Sequence, residues 1–253
     1  MKRVAIVTLA GCSSRFSKSV GCECHKSLYK EREGDQCLLD WQLSLLRRHD
    51  FNSIVLVGGY QFDRLSAEVE GKYSDWPITL VRNDHYSDLG SCYSLCLGIN
   101  AVPGDATSVV FIEGDLLFDD VGFGNLVAVE DNAITATKSI VDARTSVAFY
   151  VSGKGRLGYV YDTKHAALCI DEPFVQIGNS GQVWQFADVD RLREAAGHCH
   201  EVQWRGTNLL PILDYYSDVE AKSIRVCMFD VWFNCNTITD YKAMKAYVTG
   251  TQA

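Results

Sequence analysis

Four short apolar runs, each stopped by small or acidic residues, constrain this chain more than any other feature. Val4–Leu9, Ser53–Val57, Ile78–Val81 and Val109–Ile112 are apolar with little polar alternation. Strands that read this way are covered on both faces, as in a parallel sheet with helices on either side. Between them lie segments with helical spacing: Leu38–Arg48, with Leu38, Trp41, Leu45 and Leu46 on one stripe, then Gln61–Glu70 and Ser91–Ile99. A shorter helix is expected over Phe118–Val129. Strand alternating with helix predicts the α/β class: a Rossmann-like three-layer α/β/α sandwich around a mainly parallel, mixed central sheet.

The second half reads differently. Ala133–Lys138, Ser146–Val151, Leu157–Tyr161, Leu168–Ile170 and Phe174–Ile177 read as strands in close succession, with Gly153, Gly155 and the Asp162–Thr163 pair at turns. Ala187–Ala196 and Asn208–Tyr215 read as helices, Ser223–Phe229 as a late strand, and Thr239–Val248 as a closing helix. Thr237 and Asp240 have capping-box spacing at its start. No repeat or Ser/Gly-rich joint interrupts the chain, so one continuous domain over residues 1–253 is expected, with the late strands extending the same sheet.

Charge narrows the partners. The formal net charge is −8 with no block of like charge, which gives no footprint for a nucleic-acid backbone. Any anionic substrate must be held by a few local cations and by backbone N–H groups. No run approaches the roughly 20 apolar residues of a membrane span, and the apolar start, Met1–Ser14, runs into a Gly/Ser loop rather than a cleavage site. The ten cysteines are scattered. Several, including Cys92, Cys96, Cys169 and Cys227, lie in apolar runs, so reduced, mostly buried thiols in the cytoplasm are expected. Cys22, Cys24 and His25 lack the paired spacing of a zinc site.

Four features fall at strand ends. In open α/β sheets, ligands bind outside the carboxyl ends of the strands. Ala10-Gly11-Cys12-Ser13-Ser14-Arg15 follows the first strand. Its small residues let the backbone approach a phosphate chain, and Arg15 adds a fork of donors. Lys26 is a flexible cation within reach of such a chain. Asp115, in Glu113-Gly114-Asp115, ends a buried strand and suits Mg²⁺, which takes one or two protein oxygens. Asn236, in Asn234-Cys235-Asn236-Thr237, offers a second oxygen before the last helix. Each of these also has an ordinary reading as a surface loop, a solvated lysine, a turn or a helix cap.

Taken together, Leu9-Ala10-Gly11-x-x-x-Arg15-Phe16, Lys26-Ser27-Leu28, Val57-Gly58-Gly59-Tyr60, Gly90-Ser91, Gly114-Asp115 and Asn234-x-Asn236-Thr237 resemble the nucleotidyltransferase superfamily. The resemblance runs from Met1 to about Tyr247. Within it, Ser91-x-x-Ser94-Leu95, Asn179-Ser180-Gly181-Gln182-Val183-Trp184 and Phe233-Asn234-Cys235-Asn236-Thr237 look most like phosphocholine and phosphonate cytidylyltransferases. Two positions depart from the common pattern: Ser13 stands where a glycine is usual, and Asn236 where many relatives have Asp.

The resemblance implies transfer of an NMP unit from an NTP, with CTP favoured, to a small phosphate- or phosphonate-bearing acceptor, with Mg²⁺ as cofactor. Residues 1–130 would form the nucleotide-binding half and 131–253 the acceptor-binding half. Leu9, Ala10, Gly11, Cys12, Ser13 and Ser14 would hold the triphosphate, and Gly90 and Ser91 the base or ribose. Asp115 and Asn236 would hold the metal, and Arg15 and Lys26 would act at the phosphates. Lys138, Gln182, Trp184, Trp204, Thr207 and Asn208 are the acceptor candidates. An aromatic cluster among them would suit a quaternary amine. A sugar-1-phosphate acceptor, a glycosyltransferase using a nucleotide sugar, and a non-catalytic nucleotide-binding domain are the alternatives. Whether the chain acts alone or as a homodimer is left open.

Overall fold

Val4, Ile6, Val55, Val57, Val109 and Phe111 face one apolar core, while Ala5, Val7, Ile54, Leu56, Val110 and Ile112 face another. This is what buried strands with a two-residue side-chain period must do when both faces are covered. The computed structural model describes residues 2–162 and 166–250, so Thr163 of the expected turn lies outside the described residues.

Among these, the strands are β1 (Arg3–Leu9), β2 (Ser53–Gly58), β3 (Ile78–Arg82), β4 (Ser108–Glu113), β5 (Leu116–Phe118), β6 (Ala133–Thr137), β7 (Ala148–Ser152), β8 (Leu157–Val160), β9 (Phe174–Phe186), β10 (Arg225–Phe229) and β11 (Trp232–Asn234). The helices are α1 (Ser14–Val20), α2 (Leu38–Arg48), α3 (Phe62–Lys72), α4 (Ser91–Asn100), α5 (Asp120–Val127), α6 (Val189–Gly197), α7 (Glu201–Trp204), α8 (Leu209–Tyr216) and α9 (Ile238–Thr249).

The main sheet runs β10-β6-β9-β4-β1-β2-β3, with β7 and β8 attached through β9. Only β9 runs against its neighbours along that path. The sheet is therefore mixed and mainly parallel, as expected. Helices α4, α6 and α8 bury Leu95, Leu192 and Ile212 on one face; α2, α3 and α5 bury Leu43, Leu65 and Phe123 on the other. Each such apolar side chain contributes roughly 1.5–3 kcal/mol on burial. A smaller cluster of Phe16, Trp41, Tyr241 and Met244 holds α1 and α9 against α2.

Strand β1 lies between β2 and β4, so the chain order reverses there. The pairs Leu9↔Gly58 and Thr8↔Glu113 bring three carboxyl ends together at this switch point. Beside it, β11 pairs antiparallel with β5, Asn234 opposite Leu116, and the Cys235 N–H donates to the Asp115 carbonyl at 2.7 Å. This carries the segment around Asn236 to the end of β4, although more than a hundred residues separate them in sequence.

Several boundaries differ from the sequence reading. Helix α5 begins at Asp120 rather than Phe118, because the Asp119 side chain accepts the Gly122 N–H at 2.7 Å and so starts the helix there. Residues 116–118 are the strand β5 instead. Residues 168–170 are irregular, and Cys169 is exposed, its Sγ on Asp171 Oδ1 at 3.0 Å. The strand expected over Phe174–Ile177 runs on to Phe186, since its first part pairs with β7 and its second with β4 and β6. The loop after β1 is shorter than expected: Ser14 and Arg15 belong to α1, held down by the buried Phe16. At the other end of the chain, Thr237 and Asp240 form the expected capping box of α9.

Candidate active site

Where β1 and β4 end, a cleft of about 290 Å³ opens. Its floor is Thr8, Leu9 and Glu113–Asp115, one side is Ala10, Gly11, Ser13 and the His25–Ser27 turn, and the other is Tyr86, Leu89–Ser91, Ser94 and Asn208. Glycine at two of these positions is a packing requirement. A Cβ on Gly114 would meet the Thr8 carbonyl oxygen at 2.4 Å, and one on Gly90 would meet the Gly206 oxygen at 2.0 Å.

The pair at the centre is Lys26 and Asp115, with Nζ 2.7 Å from Oδ2 across 89 residues of sequence. Both side chains are only about a fifth exposed. Three bonds set Lys26 there. Its backbone N–H donates to Ser13 Oγ at 3.1 Å, Ser27 Oγ donates to the Gly114 carbonyl at 3.1 Å, and His25 Nε2 bonds the Leu9 carbonyl at 3.1 Å. Burial pushes the His25 imidazole down to about 4, with the adjacent Lys26 and Arg64 charges adding to it against the Leu9 bond. His25 is thus neutral near pH 7, with Nε2 carrying the proton donated to Leu9.

Ser13 sits at φ 54°, ψ 24°. This left-handed conformation costs a residue with a Cβ roughly 1–2 kcal/mol. It accounts for the usual glycine at this position: the backbone demands it, and serine is tolerated while its Oγ accepts the Lys26 N–H.

On the opposite wall, Asn208 Nδ2 donates to Glu113 Oε1 at 2.7 Å, and its backbone N–H donates to Ser91 Oγ at 3.0 Å. Enclosure, and then repulsion from Asp115, push the Glu113 carboxyl up to about 7, against the pull of Asn208 and Lys26. The N–H groups of Gly90 and Cys92, at the start of α4, are taken by the Trp204 and Gly206 carbonyls. Gly90 and Ser91 therefore line the cleft at a helix start whose Gly90 and Cys92 donors are already engaged.

Beyond Lys26, a second depression of about 220 Å³ is lined by Cys12, Ser13, Ser14, Arg15, Phe16 and Asn236. Lys26 borders both hollows. Arg15 is exposed. Asn236 Nδ2 donates to Asn234 Oδ1 at 2.5 Å, leaving Oδ1 as the atom that could meet a metal. The Asp115 carboxylate and the Asn236 amide are both hard oxygen donors, one charged and one neutral. With space for phosphate and water beside them, this donor set fits Mg²⁺.

The sequence-predicted residues thus divide. Leu9, Ala10, Gly11, Ser13, Lys26, Gly90, Ser91 and Asp115 meet on the cleft, and Cys12, Ser14, Arg15 and Asn236 meet on the depression beside it. Of the acceptor candidates, Asn208 alone lines the cleft. Trp184 is fully buried on β9, stacked on Phe111 at 5.4 Å, its indole N–H donating to Tyr159 Oη. Trp204 packs edge-on against Tyr93, and Thr207 Oγ1 bonds Tyr161 Oη. Gln182 is buried in β9 at positive φ, and Lys138 pairs with Asp230 at an exposed site elsewhere. Sequence reasoning passed over Thr8, Tyr86 and Leu89. Only Tyr86 carried a signal, as an aromatic residue just past the end of β3.

The family model described as "Domain of unknown function (DUF6564)" matches residues 22–248. The chain belongs to this family. No curated protein matches it. Among solved structures, this DUF6564 chain is similar to the inositol-1-phosphate CTP transferase from T. maritima, at TM-score 0.72 and 16% identity, covering 99% of this chain and 96% of that one. It is also similar to CTP:phosphocholine cytidylyltransferase from Streptococcus pneumoniae, at 0.67 and 16%, covering 98% and 100%. A UDP-glucose pyrophosphorylase complexed with UDP-glucose aligns at 0.72 and 11%, covering 99% and 100%. The chain shares its fold with these three enzymes, as the resemblance of its motifs implies.

Proposed function

We propose that this chain is a Mg²⁺-dependent nucleotidyltransferase that joins an NMP unit to a small phosphate- or phosphonate-bearing acceptor and releases pyrophosphate. The observation that carries the reading is the Lys26–Asp115 pair, 2.7 Å apart at the β1/β4 switch point, under the loop that ends in Ser13. Surface ion pairs are common, but this one is largely enclosed, joins two strand-end segments, and its Lys26 borders both hollows.

The residues then take the following parts. The backbone of Leu9–Ser14 cradles the triphosphate, and Arg15 binds its oxygens from the exposed side. Lys26 turns from Asp115 toward the α-phosphate. Asp115 and Asn236 hold Mg²⁺, which when bound supplies positive charge against the phosphates. An acceptor phosphate is already largely ionised near neutral pH, its second pKa being about 6, so no general base is required. The acceptor oxygen attacks the α-phosphorus in line. Lys26 and Arg15 offset the repulsion between the two anions, so catalysis rests on position and charge rather than covalent chemistry.

CTP is the favoured donor; the CTP-dependent enzymes among the similar structures support that choice. We assign residues 1–130 to the nucleotide and 131–253 to the acceptor, the latter reaching the cleft through Asn208. For the acceptor, a hydroxylated phosphate such as a sugar 1-phosphate is the second reading. Glu113 and Asn208 offer it hydrogen bonds, and the aromatic cluster that a quaternary amine would want is drawn into the core with Trp184.

The test is pyrophosphate release with Mg²⁺ and each of the four NTPs, against separate pools of phosphocholine, small phosphonates and sugar 1-phosphates. Release with CTP and one pool is expected and selects the acceptor class. A folded sample that binds an NTP but releases no pyrophosphate with any pool would overturn the reading in favour of a non-catalytic nucleotide-binding domain.

A further inference from the structure

Cys92 and Cys96 stand one turn apart on α4 and so share a face. Cys199 lies just past the end of α6, opposite them. All three are buried, and their Sγ atoms lie within 4.8 Å of one another. Around them is the apolar core of Leu95, Ile99, Leu192 and Ile212. Cys96 Sγ approaches the Ala196 carbonyl at 3.8 Å and Cys199 Sγ the Ala195 carbonyl at 3.6 Å, both weak S–H donations.

A single buried cysteine is ordinary apolar packing. Three converging thiols are a ligand set. The centre of a sulfur triangle with sides under 4.8 Å is about 2.8 Å or less from each corner, and zinc–thiolate bonds are about 2.3 Å. Shifts of about half an ångström would close such a site around a soft centre.

Charge decides which centre fits. Coordination strips a thiol of its proton, so three thiolates bring three negative charges into the core. Among the described residues, the groups that act on Cys92 are Cys96 and Cys199, and those that act on Cys199 are Cys92, Cys96 and Asp214; none is a cation. A monovalent ion would leave two charges uncompensated and a divalent ion one, and a buried unpaired charge is strongly disfavoured. A closed zinc site would also want a fourth ligand, and the described residues converge only three. A trivalent centre leaves no net charge.

We propose that Cys92, Cys96 and Cys199 form a buried three-thiol site for a trivalent, thiophilic centre of the arsenite class. Binding is a condensation without electron transfer. As(OH)₃ and three S–H groups give As(SR)₃ and three waters; each As–O bond is replaced by an As–S bond, and each thiol proton leaves on a departing hydroxyl. The neutral product ties α4 to the end of α6. Because α4 also carries Ser91 and Ser94, the staple anchors one wall of the cleft from behind.

The test is native mass spectrometry of the reduced full-length protein with arsenite, together with near-ultraviolet absorption and melting. One adduct per chain is expected, with one arsenic in place of three hydrogens, a new sulfur-to-arsenic band and a raised Tm. Cys199→Ala and Cys96→Ala should each abolish that adduct, while Cys22→Ser should keep it. The exposed Cys22 beside Cys24 is the competing pair, and arsenic on two thiols keeps one hydroxyl and is heavier by a water. Should Cys96→Ala fail to fold, Cys199→Ser serves in its place. The absence of an adduct, the two-thiol mass, or an adduct that survives loss of Cys199 overturns the proposal.

Discussion

One lysine–carboxylate constellation is seated on α2 at Asp40 and another just past β4 at Asp115, and they are built to different standards. Around Asp40 every partner is filled. Its carboxylate accepts the Cys37 N–H at 2.8 Å, the Tyr73 hydroxyl and Lys72 Nζ at 3.2 Å. Lys72 also pairs with Glu68, which pairs with Lys30. Burial pushes the Asp40 carboxyl up, but the bonds from Tyr73, Cys37 and Lys72 more than reverse this and hold it below the usual carboxylate range. Around Asp115 the side chain has Lys26 and no such network. A saturated network holds structure together; an under-committed pair at a strand end is free to change partners. That difference is what the proposed catalytic role of Lys26 and Asp115 rests on, since residue type does not separate the two pairs.

That contrast can be broken, beginning with its largest effect. Asp40→Ala should cost about 3 kcal/mol of stability, because it strands buried partners, while turnover per folded molecule stays near normal. Denaturant melts alongside initial rates read both. If Asp40→Ala abolished turnover with little loss of stability, the two constellations would have been assigned the wrong way round.

His25 should supply nearly as large a term, visible through pH. Its folded value of about 4 lies below the ordinary 6.5, so the unfolded chain binds the proton more readily. The stability that this contributes is complete above about pH 6.5 and lost as the pH falls toward 4. At about 1.4 kcal/mol per unit, it amounts to roughly 3 kcal/mol. His25→Gln keeps a donor for the Leu9 carbonyl without a titrating group, and should flatten the stability curve between those limits.

Asp115→Asn and Lys26→Ala should each lower turnover at least about tenfold, equivalent to about 1.4 kcal/mol in the barrier. Tm should fall by less than in Asp40→Ala, since the Lys26–Asp115 pair, though only about a fifth exposed, has no wider network to strand. Near-normal turnover in either variant removes that residue from the mechanism. The smallest effect is expected at Ser13. Ser13→Gly relieves the left-handed strain but loses the bond to the Lys26 N–H, so stability should shift by less than about 1 kcal/mol. Ser13→Ala keeps the strain and loses the bond, and should be the less stable of the two.

Much of this was readable in the sequence, for identifiable reasons. Strands β1, β2 and β4 are continuous apolar runs, and α2 shows its stripe, so local pattern and burial agree. The Ala10–Ser14 loop, Lys26 and Asp115 announce themselves as small or charged residues at strand ends. What escaped depends on distant partners. The length of β9 follows from pairing with three other strands, and nothing local in Asn179–Gln182 reveals it. Trp184 has a polar tip that suits a binding pocket, but Tyr159 satisfies that tip inside the core. The partnership of Asn208 with Glu113 spans 95 residues, and so does not appear as a pattern in either segment.

Gly90 has one more implication. Because it lacks a Cβ, the main chain of Arg205–Gly206 presses directly against the start of α4, and the Gly90 and Cys92 N–H groups close the joint. Asn208 and Ser91 add a further clasp. That side of the cleft is therefore a jaw with no play of its own. The opposite jaw, the exposed Gly11–Ser14 turn, is fastened toward Lys26 by the Ser13 hydroxyl. The opening behaves like a vice with one fixed plate: whatever enters is gauged against the α4 side, across from the turn that leads into α1 and Arg15.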